Sequence, residues 1–108
     1  MTHEVLRGVA WPYPDGQFPQ HLGIVVHRTV LEGEEPARLV THWDDGDWTM
    51  ADGVNDPNGN AALVCVEHMV AMDDTLAPLA TMPPGTQAWR WKSSDPWTIE
   101  PHEIEAQA

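Results

Sequence analysis

Apolar residues in this chain fall in short runs that turn-forming residues separate. The run at 23–27 is β-branched and predicts a buried strand. Alternating residues at 37–43 and 47–51 flank an Asp-Gly pair, the signature of a hairpin whose tip is Asp44–Gly46. The run at 62–66 predicts a further strand or the lead into a helix.

The second half of the chain predicts short helices and a last pair of strands. Residues 67–72 suit a short helix, and Asp73-Asp74-Thr75 can cap a second one over 76–80, with Pro78 tolerated in its first turn. The Met82-Pro83-Pro84-Gly85 segment ends this helix. Residues 86–91 and 97–100 then predict two strands joined by a turn at 93–96.

These elements predict the α+β class: a single small domain with an antiparallel sheet and one or two short helices. At 108 residues the chain fits one domain. Residues 1–20 predict an extended N-terminal lead-in, because Pro12 and Pro14 fix the backbone of the segment at 11–16. Residues 21–101 form the predicted domain, and 102–108 a polar tail.

The charge is strongly negative and unevenly spread. The net charge is −12, and no Lys or Arg lies between Arg38 and Arg90. Phosphate contacts need basic side chains, so nucleic acid and anionic membranes are unsuitable partners, whereas basic proteins, polyamines and cations are permitted. An acidic bias of the whole source proteome is the alternative explanation. The single Cys65 excludes an internal disulfide, and a reducing cytoplasm is the expected location.

The hairpin is the candidate site for a partner. Acidic residues with interleaved aromatics are typical of a surface that binds a basic protein. Exposed Trp is also typical of binding hot spots, although the rings could instead brace the hairpin or build a homodimer. The predicted partner-binding residues are Trp43, Asp44, Asp45, Asp47, Trp48, Asp52 and Asp56.

A second pattern resembles a calcium loop. Asp56, Asn58, Asn60 and Glu67 occupy positions 1, 3, 5 and 12 of such a loop, which supply oxygen ligands. Ala61 stands where the sharp turn requires Gly, and no amphipathic helix precedes Asp56. A plain turn is therefore the preferred interpretation, and no metal site and no cofactor are predicted.

Catalytic motifs are absent from the sequence. It contains no Gly-x-Ser-x-Gly elbow and no phosphate-binding Gly loop. The six His are scattered without metal-ligand spacing. A non-enzymatic protein is the expectation.

Residues 24–100 resemble the immunity protein 33-like family, a bacterial domain of otherwise unknown function encoded near polymorphic toxins. The residues and motifs that carry the resemblance are Ile24-Val25-Val26, Val30-Leu31-Glu32-Gly33, Asp47-Trp48-Thr49-Met50, Asp52-Gly53, Asn55-Asp56-Pro57-Asn58, Met72-Asp73-Asp74, Leu76-Ala77-Pro78-Leu79 and Pro84-Gly85. The resemblance implies an α+β domain that occludes a cognate toxin, and it brings no catalytic residues.

The sequence therefore predicts an acidic binding protein that acts as an immunity-type inhibitor of a basic protein toxin. The alternative is a small metal-binding or stress-related accessory domain that uses the loop from Asp56 to Glu67.

Overall fold

The computed structural model describes residues 13, 16–19, 21–55 and 60–101. Within them, six strands form one sheet in the order β4-β1-β3-β2-β5-β6. Two short α-helices and one 3₁₀ helix complete the fold. The elements are β1 (Gly23–His27), α1 (Arg28–Leu31), β2 (Leu39–His42), β3 (Trp48–Ala51), β4 (Ala61–Cys65), α2 (Val66–Met72), the 3₁₀ helix (Asp74–Thr81), β5 (Thr86–Trp89) and β6 (Thr98–Pro101).

The sheet is mixed, so the expected purely antiparallel sheet is wrong. The β2–β3 hairpin is antiparallel as predicted, with Leu39 opposite Ala51 and His42 opposite Trp48. However, β3 lies between β2 and β1 and runs parallel to β1, with Val26 beside Met50. After α1 the chain enters β2, which leaves room for one strand between itself and β1. The second strand of the hairpin, β3, occupies that position. The α+β class is confirmed.

The core lies between one face of the sheet and the later helices. Strand residues on this face are cross-strand partners of one another: Val26 and Val40 both flank Met50, and Val40 also faces Ala88. They belong to the same hydrophobic cluster as Met69 of α2. Burial alternates along β3, with Trp48 and Met50 buried and Thr49 and Ala51 partly exposed, because the core covers one face of the sheet here.

The helices follow the predicted signals. The predicted helix at 67–72 is α2, which starts one residue earlier. Asp73 caps the 3₁₀ helix, because its side chain accepts a hydrogen bond from the Thr75 N–H at 3.0 Å. Leu76 and Leu79 are the buried anchors of this helix. None of the described helices has the length and apolar character needed to cross a membrane.

The strands β5 and β6 confirm the predicted C-terminal pair, with Trp89 opposite Thr98. Cys65 is buried at the end of β4, and burial raises the pKa of its thiol, which favours the protonated, unreactive form. Most of the predicted lead-in at 1–20 and the tail at 102–108 lie outside the described residues. Within the lead-in, Tyr13 is a buried member of the core.

Candidate functional site

The turn between β2 and β3 is tightly closed by the backbone. The Trp43 N–H donates to the Asp47 carbonyl at 2.8 Å, and the Gly46 N–H donates to the Trp43 carbonyl at 2.9 Å. Gly46 has a φ of 95°, which a residue with a Cβ adopts at a cost. Asp44 and Asp45 occupy the exposed positions of this turn. The structure therefore confirms that Asp44 and Asp45 lie at the tip of the predicted hairpin.

Trp43 lies beside this turn and is half-buried. Its indole N–H donates to the Thr49 hydroxyl at 3.1 Å, which fixes the ring against β3. An aromatic ring held in one orientation and partly exposed is a suitable contact for a partner. Asp47 is half-buried as well, and its N–H donates to the Asp45 carboxylate at 3.0 Å.

Trp48 was expected at the surface, but it is only 1% exposed. Its ring stacks on His42 with centroids 3.9 Å apart, and Phe18 meets it edge-on at 5.0 Å. Its indole N–H donates to the Tyr13 hydroxyl at 3.1 Å. Trp48 is buried because it lies on the same sheet face as Met50, and the helices cover that face. Trp48 braces the hairpin from inside and presents no surface to a partner.

His42 is part of the same buried cluster. Its Nδ1 lies 2.7 Å from the Met82 carbonyl oxygen, so this nitrogen carries a proton and donates it to the carbonyl. Burial lowers the pKa of His42, while the Met82 carbonyl and the Asp45 charge act in the opposite direction. Burial raises the pKa of the Tyr13 phenol. The cluster is thus uncharged at neutral pH.

Asp52 was also expected at the surface, but its side chain is completely buried. Its carboxylate accepts hydrogen bonds from the Thr29 hydroxyl at 2.6 Å and from the Val54 and Asn55 N–H groups at 2.9 and 2.8 Å. Burial alone would raise the pKa of Asp52. These hydrogen bonds and one from the Asn55 side-chain amide together outweigh burial, so the pKa of Asp52 lies well below its usual range. Asp52 therefore anchors the loop after β3.

The last predicted partner-binding residue, Asp56, lies outside the described residues. The calcium spacing also begins there, and the structure describes it only from Asn60 onward, where a strand follows. Residues 61–65 pair along their whole length with β1, and this extended segment spans roughly 16 Å at about 3.3 Å per residue. Glu67 is carried away from Asn60, and its Oε1 lies 3.0 Å from the His21 Nδ1. Among the described residues, no three potential ligands converge on a metal position.

Among the residues that the structure describes, the most exposed Trp side chains are near the other end of the sheet. Trp89 is 44% exposed and Trp91 is 62% exposed. The Arg38 guanidinium lies 5.1 Å from the centroid of the Trp91 ring, and its Nε donates to the Trp91 carbonyl. Of the two Trp residues that the sequence analysis named for exposure, Trp48 is buried and Trp43 is half-buried.

A buried arginine is the feature that sequence reasoning missed. Arg90 is 3% exposed and forms an ion pair with Asp73 at 2.9 Å. Its guanidinium lies over the Trp97 ring at 4.0 Å, and that indole N–H donates to the Thr75 carbonyl. Burial raises the pKa of Asp73, but hydrogen bonds from Thr75 and Arg90 lower it to a net value below the usual range. This arginine joins the C-terminal strands to the helical layer.

Of the predicted surface, the described residues that stay at least partly exposed are Trp43, Asp44, Asp45 and Asp47, all in the turn at 43–47. Comparison with family models, with curated proteins and with solved structures finds no match to this chain. The resemblance to the immunity protein 33-like family stays a prediction.

Proposed function

We propose that this protein is a non-enzymatic, acidic binding protein that docks a basic protein through the turn at 43–47. Asp44 and Asp45 provide the charge, and Trp43 provides an ordered aromatic contact. In the fuller form of the proposal, the partner is a toxin that the protein inhibits by occlusion, as in immunity proteins.

One observation carries this proposal: Asp44 and Asp45 are exposed side by side without an ion pair among the described residues. Arg38 and Arg90 pair with Glu35 and Asp73 instead. The charge of the turn is therefore available to attract a positive surface.

The rest of the molecule supports rapid capture of such a partner. A net charge of −12 accelerates association with a basic protein at low salt. The turn is closed by backbone hydrogen bonds and flanked by a paired hairpin, so little ordering is required when a partner binds.

The test compares two double charge reversals with the same change in net charge. Asp44→Lys/Asp45→Lys alters the turn, whereas Glu32→Lys/Glu100→Lys alters exposed carboxylates elsewhere. The tagged wild-type protein and both variants are cross-linked in their native cytoplasm, and the captured proteins are identified by mass spectrometry. A basic protein captured by the wild type and the control, but lost in the turn variant, is the expected result.

Stopped-flow kinetics on the captured protein complete the test. The association rate is expected to fall at least tenfold in the turn variant at low salt and to depend less on salt concentration. Equal association rates for both variants would exclude this surface. Growth protection on co-expression of the two proteins tests inhibition separately.

A further inference from the structure

The described helices leave one face of the sheet uncovered. Their buried residues Val30, Met69 and Leu76 all belong to the core cluster, and so does Met50 of β3. Successive side chains of a strand point to opposite faces, so the neighbours of Met50 point away from this cluster. No described helix therefore packs on the outward face.

The pairing of the strands identifies the residues of this outward face. Residues that lie opposite one another on neighbouring strands share a face. Two such rows cross the five strands β4, β1, β3, β2 and β5. The first row is Leu63, Val25, Thr49, Thr41 and Gln87, and the second contains Ala61, His27, Ala51, Leu39 and Trp89. These two rows are called the open face.

The open face is apolar and almost free of ionisable groups. Leu63 is 52% exposed and Trp89 is 44% exposed, while Val25 and Leu39 are partly exposed. Its one ionisable side chain is His27, which is buried, and none of the described Asp, Glu, Lys or Arg residues belongs to it. A sheet face that stays in water normally carries polar residues. Exposed apolar side chains without charge are typical of the centre of a protein interface.

Charge decides what can cover the open face. A basic or an acidic surface would lose the hydration of its charged groups there without an opposite charge to pair with. The open face of a second copy brings no Asp, Glu, Lys or Arg into the contact. A two-fold axis lets the same patch serve both subunits, so each face meets a surface of matching composition. A second copy therefore fits this face better than the basic partner that suits the turn at 43–47.

We propose that this protein forms a two-fold dimer in which the open faces of two copies pack on each other. The side chains of Leu63, Val25, Leu39 and Trp89 leave water on association, which provides the driving force. The turn at 43–47 is not part of the open face, so the proposal does not rest on the partner-binding role of that turn.

The size of the open face determines the strength of the dimer. Five strands spaced about 4.8 Å apart, with about five residues of roughly 3.3 Å each, give a footprint of about 24 by 16 Å. Stable specific interfaces bury about 800 Å² on each partner, so this contact belongs to the small, reversible class. We expect a dissociation constant in the micromolar range.

Salt distinguishes this dimer from one that opposite charges hold together. Two copies that each carry a net charge of −12 repel one another. Raising NaCl from about 20 to about 500 mM shortens the Debye length from roughly 20 to roughly 4 Å and so screens this repulsion, whereas the apolar contact is retained. The dissociation constant is therefore expected to fall about threefold or more over this range.

The test is sedimentation equilibrium of the full chain over a series from micromolar to millimolar protein, at both salt concentrations. Indole ¹⁵N–¹H NMR spectra over the same series locate the contact. The Trp89 signal is expected to shift with protein concentration, while the signal of Trp48, which is 1% exposed, stays unchanged.

Two substitutions at equally exposed positions form a matched pair. Leu63→Lys places an ammonium group on the open face and Met72→Lys places one on α2, and both wild-type side chains are 52% exposed. Each changes the net charge by +1 and so reduces repulsion between copies. Leu63→Lys is nevertheless expected to weaken the dimer about tenfold, because a charge loses its hydration in the contact, whereas Met72→Lys should not weaken it. Trp89→Lys is the second open-face variant, and circular dichroism verifies the fold of all three.

Three results would overturn the proposal. The first is a monomer at every protein and salt concentration. Protection of the Trp89 indole from a soluble paramagnetic probe in that monomer would assign the face to a contact within the chain. The second is equal weakening by Leu63→Lys and Met72→Lys, because the contact would then lie elsewhere. The third is a dimer that weakens as salt is raised, because opposite charges would then hold it together.

Discussion

A fully buried carboxylate requires compensation, and Asp52 receives it locally. Four donors surround its two oxygens: the Thr29 hydroxyl, the Asn55 side-chain amide and the N–H groups of Val54 and Asn55. The His27 Nδ1 lies 3.7 Å from the same carboxylate and accepts the Asp52 N–H at 3.4 Å. A negative charge in this position links β1, α1 and the loop after β3, so its role is structural.

The substitution Asp52→Asn tests this role. The side-chain amide of Asn places an NH₂ group where the Asp52 carboxylate has its second oxygen. That NH₂ group faces hydrogen-bond donors, so at least one charge-assisted hydrogen bond is lost. We expect the free energy of unfolding at pH 7 to fall by about 2–3 kcal/mol, measured by urea unfolding. Asp44→Asn is the matched control, and at its exposed position we expect a change within about 0.5 kcal/mol. Equal effects of the two substitutions would contradict the structural assignment.

At the level of elements, the turn at 43–47 packs against Gly85, the residue before β5. The Gly85 N–H donates to the His42 carbonyl at 2.7 Å, and Gly85 has a φ of +81°. A Cβ at this position would lie 2.8 Å from the Asp44 Oδ1. Glycine at 85 therefore allows the close approach of the turn as well as the backbone conformation.

Two glycine substitutions separate these effects. Gly33 has a similar φ of +78°, but a Cβ there would meet nothing within 4 Å. Both Gly85→Ala and Gly33→Ala are expected to lower the free energy of unfolding by about 1–2 kcal/mol, because both place Ala in the left-handed region. Only Gly85→Ala should also displace the Asp44 side chain and shift the amide signals of residues 44–46 in NMR spectra. Unchanged signals there would show that the Asp44–Gly85 contact is absent in solution.

Local signals predicted most elements but could not give their order in the sheet. The Asp-Gly turn and the Asp73 cap are encoded by neighbouring residues, and both are confirmed. The parallel pairing of β1 with β3 depends on where the chain returns after α1, and no local pattern specifies that position.

The candidate site shows the same limit. The exposed Asp44 and Asp45 followed from the turn signal alone. The burial of Trp48 could have been inferred, because alternation places it on the face of Met50. The burial of Arg90 could not, because its partners Ala37 and Asp73 are 53 and 17 residues away along the chain.

Across the whole molecule, charge has two opposing effects on stability as the pH falls. Protonation of carboxylates reduces the self-repulsion that accompanies a net charge of −12 and so favours the folded state. His42, Asp52 and Asp73 act the other way, because each has a lowered pKa in the folded protein. The unfolded chain then binds protons more tightly at these groups, and acid destabilises the fold.

The pH ranges of these groups are separate, so His42 can be isolated. Its contribution is complete above the unfolded pKa of about 6.5 and is lost as the pH falls toward its folded pKa, with a slope of at most ~1.4 kcal/mol per pH unit. The carboxylates act only as the pH falls below their unfolded pKa of about 3.9. Between pH 7 and 5 the free energy of unfolding therefore changes for two reasons: the His42 contribution is lost, and the net charge changes.

The substitution His42→Gln removes that slope while keeping a donor for the Met82 carbonyl. Because both proteins share the change in net charge, the difference between their urea-unfolding curves reports the buried imidazole alone. We expect this difference to be largest at pH 7 and to shrink steadily toward pH 5. If the difference in the free energy of unfolding stayed constant with pH, the imidazole would accept a proton as readily in the folded protein as in the unfolded chain. Burial against the Trp48 ring would then not disfavour the charged form.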